Sequence, residues 1–390
     1  MGERGTGGEA VGLPAIRPAA ALESAATVAV CLPPREGYGP GRAGAIGMIV
    51  ARLADAGTLV VGGPQAGPLF DAGTYLPARP ALFGLSANAR HAAGVARLLR
   101  ARRPRLIEVY NRPLIALAIA RRLPGTPVVL CLQNDPQGMR GLAPAAARAD
   151  LLRRLAGAVV ASDWLRGRLL EGVAAPASPV HVLPNCLDLS AIPPLAPLAG
   201  RAPVLLFAGR LVADKGADAF VAACAEALPR LPGWRAEMIG ADRFGPDSPD
   251  TPFVRALRPA AAAAGVTLAG YRPQAEVLAA MAQAAVVAVP SRWQEPFGLT
   301  ALEAMACGAA LVTSPRGGLP EVAGDVALYA DPDAPGALAA ALRALAEDLP
   351  WRAARGMAGI VRAAGFGAPA ARARLADIRA DLLDRWSGRP

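Results

Sequence analysis

Residues 204–216 read Val204-Leu-Leu-Phe-Ala-Gly-Arg-Leu-Val-Ala-Asp-Lys-Gly216. An apolar run that gives way to a glycine, two cations and a second glycine is a buried strand feeding a loop and a helix start. The same succession recurs along the whole chain. Short β-branched or apolar runs alternate with Ala/Leu/Arg segments of helical period, the signature of parallel sheets with crossover helices. Before the quoted stretch the strands are expected at 27–32, 58–61, 105–110, 127–132, 158–162 and 180–183. From it onward they are expected at 204–208, 235–239, 266–269, 286–289, 310–313 and 327–329. Between the two series lies IPPLAPLAGRAP, residues 192–203, whose Pro/Gly density suits neither helix nor strand. The expected organisation is therefore a disordered leader at 1–26, an α/β domain at 27–190, a linker at 191–203 and a second α/β domain at 204–365. A C-terminal helix at 366–390 is expected to return to the first domain. In open parallel sheets ligands sit beyond the carboxyl ends of the strands, so two such domains facing each other would bind between them.

Bulk properties agree with two domains. A chain of 390 residues exceeds one ordinary core and suits two of roughly 150 to 200 residues. Hydrophobic content is 53% and charged content 18%, and no apolar run reaches the roughly 18 residues needed to span a bilayer. The first 26 residues mix Gly, Ala and Pro with Glu3, Glu9 and Glu23 and lack the cationic and apolar regions of a secretion signal, which implies a cytoplasmic protein. Five scattered cysteines and two histidines offer neither a zinc site nor a disulfide framework. The net charge of +10 is uneven: residues 1–200 hold 21 basic and 12 acidic side chains, residues 201–390 hold 20 and 19. That asymmetry fits peripheral contact with an anionic membrane, at its cytoplasmic face, or with an anionic acceptor; solvated Arg on helices explains it equally well. With 5% aromatic residues and no interleaving of basic and aromatic side chains, nucleic acid is not an expected partner.

Chemistry concentrates after the strands of the second series. Arg210 and Lys215 project into the cleft, where an Arg fork and a compact ammonium would neutralise a diphosphate. Lys215 is the one lysine in the chain. Next comes Pro290-Ser-Arg-Trp-Gln-Glu-Pro-Phe-Gly-Leu-Thr-Ala-Leu-Glu303, again strand end, loop and helix. Gly298, Leu299 and Thr300 fall where the helix begins, so their backbone N–H groups can hold an anion or sugar hydroxyls. Glu295 precedes that turn and Glu303 lies about one turn inside it. Two carboxylates so placed can accept from the vicinal diols of a hexose or a ribose.

FAGRLVADKG, the E-x7-E spacing of Glu295 and Glu303, and EAMACGAALVTSPRGGLPEV together resemble glycosyltransferase family 4. That is the retaining group with the GT-B fold, two Rossmann-like domains whose parallel sheets face across a cleft. The resemblance spans most of the chain and is strongest over residues 206–332. It implies that Arg210 and Lys215 contact the diphosphate of a UDP or GDP sugar, Glu295 the donor sugar and Glu303 the ribose. It places Tyr271 and Arg272 beside the base. It further implies a hexosyl or N-acetylhexosaminyl transfer to a saccharide or lipid-linked acceptor, as in spore-coat and cell-surface polysaccharide enzymes. No cofactor is implied beyond the nucleotide sugar, and the family needs no metal. Retention in this family is ascribed to front-face displacement, with the departing phosphate oxygen taking the acceptor proton. Asp331-Pro-Asp333 matches the metal-holding D-x-D of other glycosyltransferases but follows the last strand, so a turn before a helix is expected there.

The first series carries less. Gly39, Gly41 and Gly44 follow the first strand, and the resemblance places a glycine-rich loop there against the donor phosphates. The same glycines match a weak dinucleotide fingerprint, yet no acidic residue ends the second strand at Val61. Asn111, Arg112, Gln133, Asn134 and Asp135 follow strands and are placed to meet an acceptor, although Asn-Asp-Pro is equally a turn former. Relatives of this type commonly carry His where Gln133 stands. Two other functions fit parts of the sequence: a non-catalytic nucleotide-sugar binding protein, and an NAD-dependent oxidoreductase using the Gly39 loop.

Overall fold

The computed structural model describes residues 28–84, 86–243 and 247–388. The leader expected at residues 1–26 lies outside the described residues. The strands are β1 (Val28–Cys31), β2 (Thr58–Gly62), β3 (Thr74–Pro77), β4 (Leu106–Tyr110), β5 (Val128–Leu132), β6 (Gly157–Val160), β7 (Val180–Val182), β8 (Ala202–Ala208), β9 (Arg235–Ile239), β10 (Val266–Gly270), β11 (Ala284–Val289), β12 (Ala310–Thr313) and β13 (Leu328–Tyr329). The helices are α1 (Ala45–Leu53), α2 (Ala87–Arg102), α3 (Pro113–Arg122), α4 (Ala145–Arg154), α5 (Asp163–Leu170), α6 (Ala217–Ala227), α7 (Pro252–Ala263), α8 (Gln274–Gln283), α9 (Leu299–Ala306), α10 (Leu319–Ala323), α11 (Ala337–Glu347), α12 (Leu349–Ala364) and α13 (Ala368–Ser387).

Two fully parallel sheets result, ordered β3-β2-β1-β4-β5-β6-β7 and β10-β9-β8-β11-β12-β13. Every residue of β2, β4, β5 and β11 is buried, as helices on both faces of a parallel sheet require. In each sheet the strand order reverses once, between β1 and β4 and between β8 and β11. The loops leaving those four strands flank the crevices where open α/β sheets take ligands.

One strand escapes the sequence pattern. β3 is four residues of TYLP at the sheet edge, half-exposed and ending in Pro77, whose missing N–H is harmless on an edge. Its Tyr75 stacks on Tyr38 at 5.6 Å between ring centroids and donates its hydroxyl to the Gly63 carbonyl. Tertiary packing, rather than period, makes this a strand.

The chain crosses between domains twice. At the crossing, Leu187 and Gly367 form an isolated parallel bridge, with Leu187 N donating to Phe366 O and Ala368 N to Leu187 O, each 2.9 Å. Arg201, buried just before β8, donates to the carbonyls of Met281, Ala284 and Cys307 and so fixes where the second sheet starts. Beyond the crossing, Leu375, Ile378 and Leu382 of α13 join the core under the first sheet with Val30, Leu106 and Tyr110. Arg379 of that helix meets Glu108 of β4 through two hydrogen bonds of 2.7 and 3.0 Å, with Glu108 only 2% exposed.

Candidate active site

The loop after β8 and the loop after β11 fold onto each other. Gly216 has φ of +71°, and a Cβ there would lie 1.9 Å from the Pro290 carbonyl oxygen, so only glycine lets the two loops meet. Two hydrogen bonds of 2.9 Å, from Arg292 N and Trp293 N to Asp214 O, fasten them. The result places the Lys215 ammonium 2.5 Å from Glu295 Oε1. Ser291 Oγ is 2.7 Å from the same oxygen, and Glu295 is 7% exposed. Arg210, half-buried, stands on the loop that carries Lys215; among the described residues no hydrogen bond or ion pair engages its guanidinium.

A double glycine supports the loop from behind. Gly317, at φ of +62°, lies so close that a Cβ would sit 2.2 Å from Glu295 O, and its N–H donates to Gln294 Oε1 at 2.7 Å. Gly318 N donates to Glu295 O at 2.7 Å. Glu295 is therefore fixed at its carboxylate by Lys215 and Ser291 and at its backbone by Gly318. One step on, Gly298 enters α9 at φ of +109°, and no side chain caps that helix. The first-turn N–H groups of Leu299 and Thr300 are thus available at its positive end, next to the carboxylate and the two cations.

Glu303 lies farther along α9 and accepts from Gln274 Nε2 at 2.8 Å. Burial lifts its carboxyl above the usual range, against the Gln274 hydrogen bond and the charge of Arg52, which pull it down. Gln274 opens α8 directly after the loop holding Tyr271 and Arg272, so that loop is tied to Glu303. Tyr271 is half-buried and Arg272 is exposed, 3.4 Å from Glu276 one turn on.

The first domain presents a different surface. Asn111 is buried with φ of +50°, and its Oδ1 accepts from Gln133 N at 2.7 Å. Asn185 Nδ2 in turn donates to Gln133 Oε1 at 2.8 Å. Asp135 caps the short turn after it, accepting from Gln137 N, and pairs with Arg168 at 3.1 Å. Asn111 and Asp135 therefore do scaffolding work. Arg112 and Asn134 are exposed at the same end of the sheet. The glycines after β1 separate: Gly39 is buried where a Cβ would meet the Pro68 carbonyl at 2.2 Å, Gly41 is exposed, and Gly44 is the residue before α1. Glu36 reaches the first turn of that helix, its Oε1 accepting from Gly47 N at 2.9 Å.

Asp331 and Asp333 both face arginines. Arg316 meets Asp331 at 2.9 Å and Asp333 at 3.0 Å, and Arg292 meets Asp333 and Asp218 at 2.6 Å each. That network braces the loop after β11 through Arg292. The sequence pattern points to Arg210, Lys215, Glu295 and Glu303 but passes over Ser291, Gln274 and Asn185, which hold them or Gln133 in place. Only the double glycine at 317–318 offered a signal, as a turn directly after a strand.

Two domains meet at this site. Ser162 Oγ donates to Pro296 O at 2.6 Å, beside Glu295, and Glu321 of α10 accepts from Asp163 N and Trp164 N of α5, both at 2.6 Å.

Comparison with known proteins finds relatives of both domains. Residues 202–348 match the model of the glycosyl transferases group 1 family, and residues 19–186 match the glycosyl transferase 4-like domain. A D-inositol 3-phosphate glycosyltransferase of Frankia alni is 32% identical over 277 residues, 65% of this chain and 68% of that protein. Its counterpart in Corynebacterium aurimucosum is 35% identical over 184 residues, 46% of this chain and 43% of that protein. The putative glycosyltransferase YtcC of Bacillus subtilis is 27% identical over 244 residues, 58% and 60%. The matched stretch thus spans less than half the length of the Corynebacterium relative and about three-fifths of the Bacillus one. Among solved structures, Anabaena HepE in complex with UDP and glucose superposes with a TM-score of 0.73 at 19% identity, over 90% of this chain and 99% of that one. Sucrose-phosphate synthase from Thermosynechococcus elongatus gives 0.72 at 19%, over 92% and 99%. At such identity these two likenesses speak for the fold.

Proposed function

The chain belongs to the glycosyltransferases of family 4 type with the GT-B fold, and from that premise we propose that it transfers a hexose or N-acetylhexosamine, with retention, from a UDP or GDP sugar to a saccharide or lipid-linked acceptor in cell-surface polysaccharide synthesis. The observation that carries this is the meeting of Lys215 with Glu295 beside Arg210 and the uncapped start of α9. In the free protein Lys215 is neutralised by Glu295. An arriving diphosphate competes for that ammonium, and Glu295 is then released to accept from sugar hydroxyls. Arg210 and Lys215 stabilise the charge that develops on the departing diphosphate, which is where a preorganised cation contributes most. The departing oxygen takes the acceptor proton, so no side chain of the first domain has to act as base, and Gln133 suffices where relatives carry His. Glu303 holds the ribose, Tyr271 and Arg272 the base. No cofactor or metal enters this scheme.

The relatives named for D-inositol 3-phosphate favour a phosphorylated polyol as a second acceptor class, and exposed Arg112 at the acceptor end of the first sheet suits its charge. We place the protein in the cytoplasm with peripheral contact to an anionic membrane. Residues 72–134 hold ten arginines and a single carboxylate, Glu108, which is buried against Arg379. The same segment projects Leu82 and Phe83, 89% and 88% exposed, from the loop after β3. Arg79 and Arg90 flank that tip in sequence, Arg90 donating to Gly84 O, and an apolar tip with neighbouring cations is how a soluble domain grips anionic headgroups. Among the described residues no helix is long and apolar enough to cross a membrane.

Thermal shifts across a panel of UDP and GDP sugars, followed by product detection with saccharide, inositol phosphate and lipid-linked acceptors, test the function. One donor should raise Tm and be consumed. Binding without turnover on any acceptor would favour a non-catalytic nucleotide-sugar binder, and binding of NAD alone would favour an oxidoreductase. Sedimentation with phosphatidylglycerol vesicles should be lost in L82S/F83S; equal sedimentation of both proteins would remove the membrane contact.

A further inference from the structure

The first turn of α5 is satisfied from the other domain. Its three leading N–H groups find no partner within the helix. Leu165 N donates to Ser162 Oγ at 3.1 Å, the usual local cap. Asp163 N and Trp164 N instead donate to Glu321 Oε2 and Oε1, 158 and 157 residues away on α10. A carboxylate accepting two N–H groups at a helix N-terminus makes charge-assisted bonds aligned with the helix dipole. Ser162 adds a contact of its own, through its hydroxyl to Pro296 O.

Glu321 is also wired to the donor loop. Arg362 holds the turn that carries it, donating to Glu321 O at 2.7 Å and Val322 O at 2.6 Å. At the other end of α10, Gly318 N donates to Glu295 O. The run α5, Glu321, α10, Gly318, Glu295 is therefore a continuous chain of hydrogen bonds and covalent links from the acceptor domain to the carboxylate assigned to the donor sugar. Its interdomain bonds, from Asp163 N and Trp164 N to Glu321, join the two domains in this structure.

We propose that Glu321 is a positioning residue, an interdomain latch that locks the donor loop against the acceptor domain on closure and sets Glu295 and Lys215 in register with the acceptor. The latch rests on the transferase reading for its purpose but not for its existence. Opening hands the α5 N–H groups and the Glu321 carboxylate back to water, so the latch releases with each exchange of substrates. A misplacement of about 1 Å at a reacting centre lowers turnover by about a hundredfold, and an unlatched loop would lie in that range.

The test uses two surface cysteines, Asn88→Cys on α2 and Ala262→Cys on α7, both exposed, for a dye pair across the cleft. All five native cysteines are buried, so labelling is confined to the new ones. With UDP bound, the native latch should give a compact distance distribution, and Glu321→Ala should shift it to longer distances. In the same variant kcat for transfer should fall tenfold or more while Kd for UDP stays within twofold. Glu321→Gln, which keeps the shape but presents an amide N–H to one of the two donors, should fall between, and it serves if the alanine variant does not fold. An unchanged distance distribution overturns the latch. So does a loss of UDP affinity in step with the loss of rate, which would make Glu321 a support of the donor pocket alone. If the wild-type protein transfers no sugar, the transferase reading fails and the dye distances still decide the latch.

Discussion

The two walls of the cleft are built on the same parallel-sheet plan and hold opposite chemistry. The wall after β8 and β11 carries charges that meet across loops: Lys215 on Glu295, Ser291 beside them, and an Arg210 guanidinium in no hydrogen bond or ion pair among the described residues. The wall after β4 and β5 carries amides that satisfy one another, Asn111 to Gln133 to Asn185, with Asp135 held by Arg168. A diphosphate is the same in every donor and rewards fixed cations. Acceptors differ, and on the proposed reading an internally bonded wall leaves their selection to the few groups at its rim, Arg112 and Asn134. Charge without a partner marks where a ligand supplies the counter-charge; amides paired with each other mark a scaffold.

The largest expected effect breaks the donor wall. Glu295→Gln should lower transfer about a thousandfold, as loss of a group acting on the reacting sugar does, while UDP binds as well or a few times more tightly because Lys215 loses its internal competitor. Steady-state rates beside calorimetric UDP titration measure both. Next comes the support under the other wall: Glu108→Gln leaves Arg379 charged and without its carboxylate under β4, and urea unfolding should show a loss of roughly 3 kcal/mol. An equivalent cut in the exposed network, Asp331→Asn, should cost about 1 kcal/mol or less. Asn134→Ala should spare UDP affinity and reduce transfer about tenfold through KM for the acceptor, visible as parallel donor titrations with divergent acceptor saturation.

The smallest effect is a pH dependence at Glu303. Burial raises its carboxyl above 4.5 in the folded chain, so the folded state holds the proton longer than the unfolded one. The stability this group contributes is complete below the unfolded value and disappears as pH rises through the folded one. Glu303→Gln should therefore match the wild type in Tm at pH 4 and exceed it at pH 7, a difference that differential scanning calorimetry measures. The same variant should bind UDP more weakly, since an amide accepts from only one of two ribose hydroxyls.

Much of this was legible because charge and glycine in a strand-loop-helix setting have few uses. Arg210, Lys215, Glu295 and Glu303 stand out in sequence for that reason, and the strand pattern around them is nearly continuous. β3 was not legible, since TYLP is short, half-exposed and ends in proline, and becomes a strand only by pairing with β2. Nor was the work of Asn111: a left-handed backbone at a buried asparagine has no signature in the chain, and only the structure shows its side chain fastening Gln133. Glu321 was hidden for a third reason. Its partners lie 157 and 158 residues away, and local pattern carries no trace of a bond that forms between domains.

Calorimetric titration of UDP and GDP into the wild-type protein, Arg210→Ala and Lys215→Ala tests the account at its centre. One nucleotide should bind the wild-type chain, and each cationic variant should weaken it by a hundredfold or more; undiminished binding of both nucleotides by both variants would contradict the assignment of the donor wall.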